Sequence, residues 1–82
     1  MITEIKMPAL SDAMTHGKLL CYLVQLGQTV TKGQPVAEVE ADKANIEIEA
    51  PADGKIVRLC ASVDEVVPVN NTLIQIESQQ KS

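Results

Sequence analysis

The sequence has no tryptophan, no phenylalanine and a single tyrosine, Tyr22. It therefore offers no aromatic platform on which bases could stack, and its formal charge of −4 (7 bases against 11 acids) repels a phosphate backbone. No nucleic-acid partner is expected. Long apolar runs are also missing, and the opening Met1-Ile2-Thr3-Glu4-Ile5-Lys6 carries an acid where a signal peptide needs an unbroken apolar stretch. These features predict a cytoplasmic protein, or one of the mitochondrial matrix in a eukaryote, with no membrane partner. The two cysteines, Cys21 and Cys60, form no CxxC pair, and the single histidine, His16, cannot complete a zinc set. Free thiols and no metal are expected. An 82-residue chain makes one domain and buries roughly 60% of the surface it exposes when unfolded, too little for a deep private pocket, so no catalytic residues are assigned.

Nine Val, seven Ile and five Thr dominate the apolar and β-branched content, while Gly and Pro recur between short apolar runs. This is the pattern of short strands joined by turns. No segment sustains the i, i+3, i+4 stripe of an amphipathic helix. An all-β domain follows, and a chain this small hides its sheet edges best by closing on itself.

An internal repeat refines the topology. Shifted by 37 positions, residues 17–40 lie on residues 54–77 without a gap. Gly17 then meets Gly54, Val30 meets Val67 and Glu40 meets Glu77, and aliphatic positions such as Leu19/Ile56 and Val39/Ile76 exchange one apolar side chain for another. A spacing of 43 relates Glu4, Ile5 and Pro8 to Glu47, Ile48 and Pro51, so the first half carries six extra residues (43 − 37) within 9–16. That insertion is expected to be a surface loop. Two similar halves of about four strands each predict two sheets related by an approximate two-fold axis.

Residues Val36–Ala50 read as a hairpin whose turn is Asp42-Lys43. Ala41 then faces Ala44, Glu40 faces Asn45, Val39 faces Ile46, Glu38 faces Glu47 and Ala37 faces Ile48. This register puts the apolar side chains on one face and Glu38, Glu40, Asn45 and Glu47 on the other, whereas a one-residue slip scrambles both. Lysine is an awkward choice for such a turn, where Asn-Gly or Asp-Gly is favoured. The segment from Glu38 to Asp53 holds six acids and one base, Lys43, and the rest of the chain sums to +1. An acidic face around one turn lysine points to a partner, the alternative being a solvated face that resists aggregation. Under the pseudo-two-fold, the counterpart of the hairpin is Leu73–Glu77 beside Ile2–Met7. Both chain ends then sit together, with Lys43 and the loop 9–16 at the other end.

The segments MPALSDAM, ADKANIEIEAPADGKI and VNNTLIQIE together make the chain resemble a lipoyl domain of the dihydrolipoyl acyltransferase component of a 2-oxo acid dehydrogenase complex. The likeness runs from Ile2 to Glu77, and its most specific element is Glu40-Ala41-Asp42-Lys43-Ala44. Ala41 stands where that family commonly has Thr, a change that keeps an inward slot small. The resemblance implies a flattened β-barrel, or barrel-sandwich, of two four-stranded antiparallel sheets with quasi-two-fold symmetry. It implies lipoate in amide linkage on Lys43, attached by a lipoate ligase or lipoyl transferase that reads Glu40, Asp42 and Ala44. The partners it implies are a thiamin-dependent 2-oxo acid decarboxylase, the acyltransferase catalytic domain and dihydrolipoyl dehydrogenase. A complex of the pyruvate or acetoin type is favoured by the MPALSDAM segment. Docking to the decarboxylase is assigned to Leu10, Ser11, Asp12 and Met14 of the loop and to Glu38 and Glu47 of the acidic face.

Residues 1–77 are read as the carrier domain and 78–82 as the start of a linker. The rival readings are a biotin carrier domain, in which methionines rather than Asp42 and Ala44 flank the lysine, the larger lipoyl carrier of glycine cleavage, and an unmodified interaction module. Gly17, Gly27, Gly33 and Gly54 are expected at turns needing positive φ. Cys60, aligned with Leu23, is expected in an apolar slot, and Cys21, aligned with Arg58, at an exposed one.

Overall fold

The computed structural model describes residues 1–41 and 44–78. Its strands are β1 (Ile2–Lys6), β2 (His16–Tyr22), β3 (Thr29–Val30), β4 (Pro35–Ala41), β5 (Ala44–Glu49), β6 (Gly54–Leu59), β7 (Val66–Pro68) and β8 (Thr72–Glu77). They form two four-stranded antiparallel sheets, ordered β1-β8-β6-β3 and β5-β4-β2-β7. Exchanging the repeats (β1 for β5, β8 for β4, β6 for β2, β3 for β7) turns one order into the other, as the repeat predicted.

The symmetry extends to irregularities. The β2–β4 register slips between Leu19 and Cys21, and the β6–β8 register slips at the equivalent Ile56 and Arg58. Leu23 N donates to Val36 O as Cys60 N does to Leu73 O. Such bulges sharpen local twist and help a small sheet curl onto its neighbour. The inner faces supply an aliphatic core in which Leu19, Val30, Val39, Ile56, Leu73 and Ile76 are fully buried. Burying a side chain of this kind contributes about 1.5–3 kcal/mol. Among the described residues no polar or charged side chain is buried, so the core has no charge to compensate.

The glycines divide into two kinds. Gly27 and Gly33 have φ of 88° and 89° and serve turns as expected, but Gly17 and Gly54 lie buried within strands and have ordinary φ. Their task is close approach. A Cβ on Gly54 meets Ile76 Cγ2 and, at 2.7 Å, the Glu77 carbonyl oxygen, while one on Gly17 meets Met7 Sδ at 2.9 Å. The expectation of positive φ at these two is therefore corrected.

Both cysteines are free, but their surroundings are the reverse of those expected. Cys60 is exposed, since it and Leu23 lie just beyond strand ends where the inward face stops. Cys21 is half-buried, its Sγ 3.8 Å from Glu38 Oε1. The residues 79–82 assigned to a linker lie outside the described residues; Ser78 is ordered by a 2.9 Å bond from its N–H to Met1 O.

Candidate functional site

The β4–β5 hairpin adopts the register read from the sequence at each predicted pair: Ala41↔Ala44, Glu40↔Asn45, Val39↔Ile46, Glu38↔Glu47 and Ala37↔Ile48. Burial explains why this register wins. Ala37, Val39, Ala41 and Ile48 are buried and Ile46 is half-buried, whereas Glu40, Asn45 and Glu47 are exposed and Glu38 is half-buried. A slip of one residue would carry the glutamates into an aliphatic core that holds no charge. Ala44 belongs to the inward phase but is exposed, because the core ends before the tip. The paired Ala41 and Ala44 leave two residues between them, Asp42 and Lys43, which lie outside the described residues.

Neighbouring strands align the rest of this end. Lys18 of β2 pairs with Glu40 and with Val66 of β7, so Val66, Lys18, Glu40 and Asn45 form one row across the sheet. Gly17 pairs with Val67 one step nearer the tip, and His16 pairs with Pro68 one step further. The loop preceding β2 thus finishes at the tip end of the hairpin, as predicted, although His16 is the first residue of β2 rather than the last of the loop. Met7, at the far end of β1 from the chain termini, packs against Gly17. Six residues of extended chain at about 3.3 Å each separate Met7 from Met1, which puts the bonded Met1 and Ser78 some 20 Å away from the tip.

Within the loop, Met14 is half-buried and packs on the core, and its Sδ accepts the Leu10 N–H at 3.3 Å. Leu10, Ser11 and Asp12 are exposed. Ser11, Ala13, Met14, Thr15 and His16 line an open depression of about 190 Å³. The acidic face is real but smaller than the sequence count. Asp53 instead accepts the Lys32 N–H at 2.7 Å and ties a turn, and Lys18 approaches Asp64 at 4.0 Å. Among the described residues no group of three or more His, Cys, Asp or Glu side chains could hold a metal, and no helix is long and apolar enough to cross a membrane.

Sequence reasoning gave no role to Tyr22. Its hydroxyl lies 2.8 Å from Ala61 O and 3.0 Å from Leu73 O, to either of which it can donate, and accepts the Ala61 N–H at 3.1 Å. Tyr22 belongs to one sheet and Leu73 to the other, so this side chain clasps the two. Burial pushes its hydroxyl above the ordinary value of 10.0, with the Ala61 backbone bond opposing. The sequence signal was its status as the sole aromatic side chain, aligned with an aliphatic Leu59 in the other repeat.

A two-fold barrel-sandwich in which the paired Ala41 and Ala44 have only Asp42 and Lys43 between them, and in which the start of β1 lies beside the end of β8 at the opposite end, defines a class of small carrier domain. The chain belongs to the biotin/lipoyl family, whose model, described as "Biotin-requiring enzyme", matches residues 3–76, and so to the carriers of covalently attached lipoate or biotin. Among its relatives, the dihydrolipoyllysine-residue acetyltransferase component 4 of the chloroplastic pyruvate dehydrogenase complex of Arabidopsis thaliana is 40% identical over 83% of this chain and 14% of the relative. The lipoamide acyltransferase component of the branched-chain alpha-keto acid dehydrogenase complex of Pseudomonas putida is 37% identical over 89% of this chain and 17% of its own length. The chain thus spans under a fifth of the length of these relatives. Its fold matches the solution structure of the lipoyl domain of the 2-oxoglutarate dehydrogenase complex from Azotobacter vinelandii, with a TM-score of 0.77 at 22% identity, covering 94% of this chain and 98% of that one. A single-chain, multi-domain long-chain acyl-CoA carboxylase also matches at 0.77, with 17% identity, over 99% of this chain and 7% of that one.

Proposed function

We propose that this chain is a lipoyl carrier in which Lys43 is the attachment residue. The observation that carries the reading is the pairing of Ala41 with Ala44, which leaves only Asp42-Lys43 to join β4 to β5 within the Glu40–Ala44 motif, on a chain whose relatives are acyltransferase components. An amide forms between Lys43 Nζ and the lipoyl carboxyl. Because an ordinary lysine amine, with a pKa near 10.4, is protonated at neutral pH, a ligase or transferase must supply an activated acyl donor, whose leaving group departs as the N–C bond forms, and accept the two protons that Nζ gives up. Glu40, Asp42 and Ala44 are the residues we assign to its recognition. The bound dithiolane supplies acyl-carrying and redox chemistry. This chain contributes a fixed point from which the arm swings.

The partners follow as part of the same proposal: a thiamin-dependent 2-oxo acid decarboxylase, an acyltransferase catalytic domain and dihydrolipoyl dehydrogenase, in the cytoplasm or an organelle matrix. Tethering makes weak docking sufficient, since flexible linkage gives effective concentrations of about millimolar. Leu10, Ser11, Asp12, Glu38 and Glu47 are the exposed or half-exposed residues assigned to decarboxylase docking, with Met14 shaping the loop from beneath. The relatives come from pyruvate, branched-chain and 2-oxoglutarate complexes, so likeness alone favours no one 2-oxo acid. We retain the pyruvate or acetoin type as the first to assay.

Biotin is the competing group, given the family's description and the carboxylase fold match. Intact-mass analysis of protein made in a lipoate-replete, ligase-competent host separates the two. A lipoyl increment that disappears in Lys43→Arg is expected; a biotinyl increment, or none, overturns the reading.

A further inference from the structure

The loop inserted in the first repeat leaves a feature that the hairpin alone does not explain. Ser11, Ala13, Met14, Thr15 and His16 enclose an open depression of about 190 Å³. Its wall is half apolar and half polar, and partly preorganised. The Met14 side chain is held from below by packing on the core and by the Leu10 N–H on its sulfur, and Thr15 Oγ1 is hydrogen-bonded to His16 Nδ1 at 2.9 Å. The second repeat, six residues shorter here, has no equivalent loop.

We propose that this depression is a cradle for the chain's own dithiolane, seating the end of the arm attached at Lys43 between turnovers. The proposal rests on the lipoyl reading above. Three observations favour this occupant. The depression is at the tip end of the molecule, since His16 lies two residues beyond the Lys18–Glu40 pair in the direction of Ala41. Its size suits a five-membered ring, because an apolar cavity of about 150 Å³ accommodates benzene. Its chemistry is matched as well: the lining combines a soft, polarisable thioether with two hydroxyls and an imidazole. An open, half-polar site of this kind holds its occupant weakly. Weakness is what a carrier requires, because a tightly seated ring would be withheld from the enzymes that react with it.

The consequence is a preferred side. Seated in the loop, the ring rests beside Leu10, Ser11 and Asp12, the residues assigned to decarboxylase docking, rather than sampling all directions equally. The test compares unmodified and lipoylated protein by NMR with labelled methionine methyls and histidine rings, after intact mass has established lipoylation. We expect the Met14 methyl and His16 ring signals to shift on lipoylation, the Met1 methyl to stay in place, and the Met14 shift to vanish in Ala13→Arg, which fills the depression from an exposed loop position. Ala13→Arg should still accept lipoate. Lipoylated protein whose Met14 and His16 signals do not move removes the cradle and leaves the carrier reading intact. Absence of lipoylation in a competent host removes the carrier reading and the cradle with it.

Discussion

Gly33 and Asn70 occupy the same left-handed position in the two halves of the molecule, with φ of 89° and 76°. The surrounding hydrogen bonds match as well: Gly33 N donates to Ala50 O and Asn70 N to Met7 O. Gly27 and Asp64, at 88° and 71°, are a second such pair. One backbone path has been built twice, with glycine in the first copy and residues that tolerate positive φ in the second. Gly33→Ala should therefore lower stability by about 1 kcal/mol, although a Cβ there meets nothing within 4 Å, because the cost is in the backbone alone. Asn70→Gly should change stability by less than half of that. Urea unfolding midpoints of the two variants check the contrast.

The two strand glycines should behave differently. At Gly54 the added Cβ collides with Ile76 and with the Glu77 carbonyl, atoms fixed by strand pairing; at Gly17 it meets the flexible ends of Met7 and Met14. Gly54→Ala is expected to cost roughly 3 kcal/mol or prevent folding, and Gly17→Ala about 1 kcal/mol, within the range for overpacking. Equal losses in thermal unfolding would show that methionine flexibility gives no relief.

These two cases also mark what could be read without a structure. The hairpin register was legible because alternation over Ala37–Ile48 permits only one way to keep four polar side chains out of the core. The two-fold relation between the sheets was legible because the offsets of 37 and 43 give each strand a counterpart, whereas the full strand order was not. Gly17 and Gly54 were misread because a sequence shows that a side chain is absent but not whether the reason is dihedral angle or crowding. Cys60 and Leu23 were misread because their alignment was correct yet the inward face ends before either. The Tyr22 clasp joins partners 39 and 51 residues away, beyond the reach of any local pattern.

Tyr22→Phe should cost about 1–2 kcal/mol, since the Ala61 and Leu73 groups lose a partner in a part-buried setting. It should also change the alkaline limb of stability. Burial raises the Tyr22 hydroxyl above 10.0 in the folded chain. Below 10.0 the hydroxyl is neutral in both states, whereas above it the unfolded chain ionises first, so stability falls as pH rises through the folded value. Urea midpoints for the parent should decline more steeply above about pH 10 than those of Tyr22→Phe. Parallel curves would show that Tyr22 has no part in the decline.

Asp42→Met probes how the turn is read by the enzyme that decorates it. The substitution replaces an acid beside Lys43 with the residue type that commonly flanks the lysine in biotin carriers, and it leaves the Ala41–Ala44 pair untouched. Slower lipoylation, or the appearance of a biotinyl increment in a host containing both ligases, is expected from intact mass. Unchanged lipoylation would remove Asp42 from the recognition set while leaving Lys43 as the attachment residue.

Glu38 and Glu47 provide the last test, because stability and function should move in opposite directions. They face each other across β4 and β5 on the outer surface, a like-charge arrangement that costs a few tenths to about 1 kcal/mol. Glu47→Gln should therefore stabilise the domain by a few tenths of a kcal/mol at low ionic strength, and the gain should shrink with added salt as exposed charges are screened. If the pair is maintained for docking, the lipoylated variant should be acylated more slowly by the decarboxylase at subsaturating concentration, with little change at saturation. A variant that is more stable and equally well acylated would assign these carboxylates to solubility alone, leaving the loop around Leu10–Asp12 as the docking surface.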